Sequence, residues 1–295
     1  LVMSFDYFRN TTKDQLMTIP LPASTGSEDI VVNFGENQNV GYDFSVAGQV
    51  IRSKNWAWTT VINGSHVKDR IKQISDKLKN TAYQLEEDNP LKLRFREGGS
   101  QYDIYAVRSA GIDPATGQEI FINKNGEYTF RYDADDEVVV GNTQPKLQGT
   151  WLNTLRYKGW SLNFVFSYTF GGDTYNKTLW EKVEDIDPRY NVDERAFTDR
   201  WKNPGDLSRY LAIKERRSMT PHNSERFVER LNELWLSSAT LTYEFQPKFL
   251  KRLGFKRLAV GVGVSDIVRF STVKYERGTS YPYCRTINLT FRPTF

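Results

Sequence analysis

A two-residue rhythm that recurs along the chain constrains it more than any motif does. From Trp160 to Phe170, six large apolar residues (Trp160, Leu162, Phe164, Phe166, Tyr168, Phe170) share one parity. Ser161, Asn163, Val165, Ser167 and Thr169 share the other. Successive side chains of a strand point to opposite faces, so this is a strand with one apolar and one mostly polar face. The same alternation runs through Val40–Val46, Trp56–Ile62, Leu258–Val264 and Ile287–Phe295. It predicts eight strands, at about 1–8, 39–52, 55–66, 147–157, 160–171, 234–246, 257–270 and 285–295.

The second face decides the class. A soluble sandwich presents charge to water on its outer face. Here the second face is Gly, Ser, Thr and Asn, and the apolar face is rich in rings, in keeping with a chain that is 14% aromatic. Most of the predicted strands exceed the usual length of about five or six residues and match the 9–11 needed to cross a bilayer at a tilt. The expected fold is therefore all-β, an antiparallel transmembrane β-barrel with its apolar face to lipid and its polar face to a lumen. Connection lengths point the same way. Ser53-Lys54-Asn55 and Lys158-Gly159 read as short periplasmic turns, whereas about 9–38, 67–146, 172–233 and 271–284 read as extracellular loops.

Composition removes several alternatives. No apolar stretch is long enough for a membrane-spanning helix, and mean hydropathy is −0.59. A net charge of +4 is too small an electrostatic footprint for nucleic acid. The single cysteine, Cys284, excludes an internal disulfide, and His66 and His222 are too few and too far apart for most metal or acid–base sites. No cofactor and no enzymatic activity are expected. The chain opens on Leu1 inside a strand-like pattern, with no secretion signal, so it is expected to be a piece of something longer.

Within the loops, Val67, Ile71, Ile74 and Leu78 fall at helical spacing and predict a short amphipathic helix. Asp113–Gly117 carries turn chemistry, and Asn123-Lys-Asn-Gly126 matches a tight hairpin. Asp133-Ala-Asp135-Asp136-Glu137 lacks the spacing of a calcium loop and reads as a solvated acidic stretch. Glu181 with Glu184 or Asp185 has the composition of a glycosidase pair, but nothing positions these acids. Trp180, Tyr190 and Trp201 are the candidate loop contacts to a sugar-like ligand or to a lid, with packing of the loop itself the competing role for each.

Several motifs together resemble SusC/RagA-type TonB-dependent outer-membrane transporters. They include Asp6-Tyr7-Phe8, Asn33-Phe34-Gly35-Glu36, Gly141-Asn142-Thr-Gln-Pro145-Lys146 and Phe170-Gly171-Gly172-Asp-Thr-Tyr175-Asn176. Arg200-Trp201-Lys-Asn203-Pro204-Gly205-Asp206, Leu234–Tyr243, Leu253–Leu258 and Tyr281–Thr286 continue the match in family order. Ser265-Asp266-Ile267 departs from a Gly-Asn-Asn-Leu type of sequence common in that family.

The resemblance implies that residues 1–295 are the C-terminal portion of such a transporter, about the last eight strands of a barrel of about 22. The plug domain, the TonB-engaging segment and the N-terminal strands would lie outside this chain. It also implies active import of a large nutrient, an oligosaccharide or a peptide, across the outer membrane of a Gram-negative, Bacteroidetes-like bacterium. The implied partners are a SusD-like surface lipoprotein as lid, the TonB complex, outer-membrane lipid and the barrel-assembly machinery. Phe295 would be the terminal residue of the assembly signal. A passive pore or adhesin barrel, or a soluble aromatic-rich carbohydrate-binding module, are the rival functions. The fragment alone is not expected to close a stable barrel.

Overall fold

The computed structural model describes residues 1–20, 26, 29–75, 96–186, 189, 191–213, 223–246, 250, 254–274 and 285–294. Twelve strands follow in chain order. They are β1 (Val2–Pro20), β2 (Asp29–Arg52), β3 (Trp56–Ile74), β4 (Asp103–Ile112), β5 (Glu119–Ile122), β6 (Tyr128–Thr129), β7 (Glu137–Asn142), β8 (Leu147–Tyr157), β9 (Trp160–Tyr175), β10 (Val228–Glu244), β11 (Arg257–Ser271) and β12 (Thr286–Thr294). Eight form one sheet in the order β1-β2-β3-β8-β9-β10-β11-β12, and a second sheet, β6-β5-β4-β7, is inserted between β3 and β8. Every neighbouring pair of the large sheet is antiparallel. The sheet meanders in chain order, as a barrel wall does, but β1 and β12 are its two ends and the barrel is not closed.

Register turns the sequence rhythm into two continuous faces. On one, Ile62, Trp151, Phe166 and Leu236 stand in a cross-strand row. On the other, Ser45, Asn63, Thr150 and Ser167 do. The apolar face is bounded by rings at both ends. At the turn end, Trp56 meets Tyr157 at a centroid separation of 4.3 Å and Trp160 meets Tyr243 at 4.7 Å. At the far end Tyr42 lies 5.9 Å from Phe5 and 5.1 Å from His66. Trp56 and His66 are ten residues apart on β3, about 33 Å of strand. At the tilt usual for such barrels that is about 23–27 Å along the membrane normal, the height of an outer-membrane apolar band.

Two glycines let rings lie across this face. A Cβ on Gly149 would sit 2.0 Å from the Asn63 carbonyl oxygen and 2.7 Å from the Tyr168 hydroxyl, and one on Gly64 would sit 2.3 Å from the Phe44 ring. The space they leave lets Tyr168 donate its hydroxyl to the Asn63 carbonyl at 2.8 Å. That phenol is thereby satisfied inside an apolar band, where an unpaired hydroxyl is costly.

All eight expected strands are present, and their ends at the short turns agree closely with expectation. At the far ends β8, β11 and β12 also agree within a residue, whereas β1, β2, β3, β9 and β10 run further. Residues 9–38 are largely a continuation of β1 and β2, paired out to Pro20 and Asp29. The membrane-type alternation fades there because the ladder stands clear of lipid, and on β2 Val32 and Phe34 are buried within the protein instead. The helix expected from Val67, Ile71 and Ile74 is instead the end of β3. The register steps from Asn37↔Ile71 to Glu36↔Gln73, so one extra residue enters β3. This bulge brings Ile71 and Ile74 to the same buried side at a spacing of three, which mimics a helix. Leu78 lies outside the described residues. The Asn123–Gly126 turn forms as expected, joining β5 to β6, with Gly126 at φ +86° and Asn123 Oδ1 accepting from the Glu127 amide.

Candidate functional site

Two regions have the chemistry of a transport site: the polar face of the sheet and the structure built above it. The polar face carries an open concavity of about 550 Å³. Its wall is tied laterally by neutral side chains, with Ser45 donating to Asn63 Oδ1 at 2.7 Å and Asn63 Nδ2 donating to Thr150 Oγ1 at 3.3 Å. Asp6 and Asp43 stand opposite one another in register on this wall. Such a surface offers exchangeable hydrogen bonds.

Above it, the segment from β4 to β7 and the β9–β10 connection form one body. The Val107 amide donates to the Asn223 carbonyl at 2.9 Å, and Ala212 donates to Gly117 at 3.1 Å. The junction is locked by Arg226, which bonds Glu119 of β5 at 2.8 Å and Glu184 at 2.9 Å. The three side chains are 11%, 3% and 5% exposed. Burial opposes the Arg226 charge, but the fields of Glu119 and Glu184 outweigh it and raise its pKa. Ser224 adds a further hydrogen bond to Glu119. Beside this triad lies an apolar cluster in which Leu179, Val183, Ile186, Ala196, Tyr210 and Phe227 close on one another. Burial raises the pKa of the Tyr175 phenol beside it, helped by the Glu119 charge.

Arg200 is the second internal tie. Its guanidinium is spent on backbone carbonyls, those of Ala196 (3.0 Å), Leu211 (2.8 Å), Val183 (2.5 Å) and Glu184 (2.7 Å). Such bonds satisfy helix-end and loop carbonyls that would otherwise be buried without donors. Asp193 takes a bidentate hold on Arg195, which lowers its pKa to about 2.

The residues expected as ligand or lid contacts divide as follows. Trp180 opens a one-turn π-helix, Trp180–Glu184, and packs on the apolar cluster while remaining partly exposed. Trp201 donates Nε1 to the Pro114 carbonyl at 2.9 Å and covers Gly117 so closely that a Cβ there would lie 2.5 Å from the indole. Tyr190, Phe295 and His222 lie outside the described residues. Of the carboxylates weighed as a catalytic pair, Glu184 is engaged by Arg226 and Glu181 by Lys177 at 3.4 Å. Asp133 caps a 3-10 turn, and Asp136 accepts from the Lys124 amide. Among the described residues no group of three or more His, Cys, Asp or Glu is placed to hold a metal. Nothing in the sequence singles out Arg226 or Glu119, which meet across 107 residues. Arg200 is visible there only within a family-like motif, since backbone carbonyl partners leave no signal.

No family model matches the chain. TonB-dependent receptor P39 of Formosa agariphila is 25% identical over 313 residues, covering 92% of this chain and 30% of that protein. TonB-dependent receptor P3 of the same organism is 25% identical over 292 residues, covering 92% and 28%. Among solved structures, the RagAB peptide transporter superposes with a TM-score of 0.76 at 20% identity, over 92% of this chain and 30% of that one. The chain thus spans about a third of the length of the curated relatives it matches.

Proposed function

We propose that this chain, a segment of a SusC-like TonB-dependent receptor, supplies eight consecutive strands of an outer-membrane barrel that actively imports a large nutrient. The observation that carries the proposal is the two-faced meander: an apolar face about 23–27 Å tall between two rows of rings, backed by a polar wall of Ser, Thr and Asn with the Asp6 and Asp43 carboxylates. The relatives' shared description as TonB-dependent receptors supports energised import over passive flow.

In hydrocarbon, each unpaired N–H or C=O along the edges of β1 and β12 costs several kcal/mol. Strands outside this chain would pair with both edges and close the barrel, and a plug would occupy the lumen. The joined extracellular body would face the substrate and a SusD-like lipoprotein lid, with Trp180, Tyr190 and Trp201 as its contacts. Phe295 would belong to the signal read by the barrel-assembly machinery. The chain's own part in transport is noncovalent. It provides a wall of weak, exchangeable hydrogen bonds and a rigid rim.

The substrate class is an oligosaccharide or a peptide, and uptake distinguishes them. Cells carrying the complete receptor are compared with a deletion strain for accumulation of fluorescent oligosaccharides and peptides, with and without a protonophore. Loss of one class on deletion, and the same loss with the protonophore, is expected. Accumulation that survives collapse of the proton gradient would mean a passive pore.

A further inference from the structure

We infer that the outward face of β1–β3 carries a binding site for the phosphate groups of anionic outer-leaflet lipid, formed by Arg9, Lys68 and Arg70. The inference rests on the outer-membrane reading above and adds a partner chemistry to it. Cross-strand register puts Tyr7, Tyr42 and His66 in one row, the upper ring row of the apolar face. The next row on that face is Arg9, Val40 and Lys68, and the one after it is Thr11, Gln38 and Arg70. Each row is two residues further along the strand, so the first basic row stands about 6–7 Å of strand beyond the rings. Allowing for tilt, that is where a bilayer's hydrocarbon gives way to its headgroups.

All three basic side chains are exposed, and none is in an ion pair among the described residues. Arg9 and Lys68 flank Val40 across two strand spacings, about 9–10 Å, and Lys68 and Arg70 stand about 7 Å apart on β3. Phosphates on one lipid, or on two neighbours, fall within that reach. Gln38 steadies the arrangement: turned with its amide oxygen toward β1, it accepts from Arg9 Nε at 2.9 Å and Nη2 at 3.1 Å.

The acids of the same strands do not neutralise the cluster. Asp6 and Asp43 have the opposite parity and line the lumenal concavity. Asp69 is buried and bonded to Asn37, Ser100 and the Gln101 amide. Glu36 lies beyond the β2–β3 bulge and Asp14 within the β1–β2 one, both further along the strands from the ring row. Cations on a lipid-side surface at headgroup depth, with the local carboxylates turned away, suit a fixed anion in that layer. A soluble anion would find no enclosing pocket there.

The test uses the complete receptor in zwitterionic detergent, with bisphosphorylated lipid A as probe and native mass spectrometry as readout. Each basic residue near an anionic headgroup is worth about fivefold in affinity, so R9Q/K68Q/R70Q is expected to weaken binding about 100-fold. Neutralising three exposed cations elsewhere, K124Q/R131Q/K202Q, should leave it unchanged. Equal loss in both triple variants, no loss in the first, undiminished binding of dephosphorylated lipid A, or full competition by millimolar inorganic phosphate would each overturn the inference. Should the first variant fail to assemble, a salt titration of the wild type decides, because affinity that ignores ionic strength contradicts a charge-held headgroup. The readout is independent of import. An import-inactive receptor that still takes the lipid leaves the inference standing, whereas a water-soluble, lipid-free receptor removes both readings.

Discussion

Replacing Arg226 by methionine is expected to part the two extracellular segments that it joins. The guanidinium bonds Glu119 and Glu184 and also donates Nη1 to the Arg209 carbonyl at 2.8 Å. Both carboxylates are at least nineteen-twentieths buried, so removing their partner leaves two uncompensated charges out of water. Breaking a buried ion pair from one side costs about 3–5 kcal/mol, whereas an exposed pair is worth about 0–1. Arg257 with Glu244, 73% and 52% exposed, is the internal control. At about 1.4 kcal/mol per tenfold, the open population of the joined body should rise by about two to three and a half orders of magnitude. Amide hydrogen exchange on the complete receptor measures this directly. Protection of Glu119–Ile122 and of Leu179–Ile186 should fall together in R226M, while R257M leaves both unchanged. Replacing the whole triad, E119Q/E184Q/R226M, should recover much of the loss, since no charge is then stranded. Unchanged protection in R226M, or loss confined to one segment, would refute the claim that the triad joins them.

Gly149→Ala should lower the yield of assembled barrel, because its Cβ meets the Asn63 carbonyl oxygen at 2.0 Å; overpacking of this kind costs about 1–3 kcal/mol, and heat-modifiable mobility on gels reads it. Trp201→Ala should loosen the β4–β5 turn by about 2 kcal/mol through loss of the Pro114 hydrogen bond and of the indole over Gly117, seen as faster exchange at Gly117 and Ala212. Asp193, held well below its ordinary 3.8 by Arg195, contributes stability that is complete above about pH 4 and is lost as pH falls toward 2. Asp193→Asn should therefore speed exchange at Ala196 and Phe197 at pH 7 and make little difference at pH 2.

What was legible in the sequence was whatever the membrane imposes. The alternation of Trp160–Phe170 is enforced residue by residue because one face meets lipid and the other a lumen, so strand identity and face could be read directly. Beyond the ring rows that enforcement ends. Residues 9–20 and 29–38 pair as strands through backbone bonds and a few side-chain ties, such as Asn33 to Asp14 at 2.8 Å, and no lipid-driven alternation marks them. Ile71 and Ile74 misled because a bulge gave a strand the spacing of a helix. The joined extracellular body was the least legible part. Glu119 and Arg226 meet across 107 residues, and Arg200 is held by carbonyls, which every residue has. Turn chemistry was the exception, since Asn123 and Gly126 act on neighbours in the chain. Glu184 was visible as a carboxylate but not as an ion-pair partner.

The central claim is that this sheet is a membrane wall with lipid on one face and a lumen on the other. Spin labels at each position from Ser161 to Thr169, in the complete receptor reconstituted in bilayers, test it most directly by comparing collisions with oxygen and with a water-soluble nickel complex. Leu162, Phe164, Phe166 and Tyr168 should favour oxygen, and Ser161, Asn163, Val165, Ser167 and Thr169 should not, giving a period of two along the whole stretch. Positions of both parities equally open to the nickel complex would contradict the claim and return the chain to the class of water-soluble β folds.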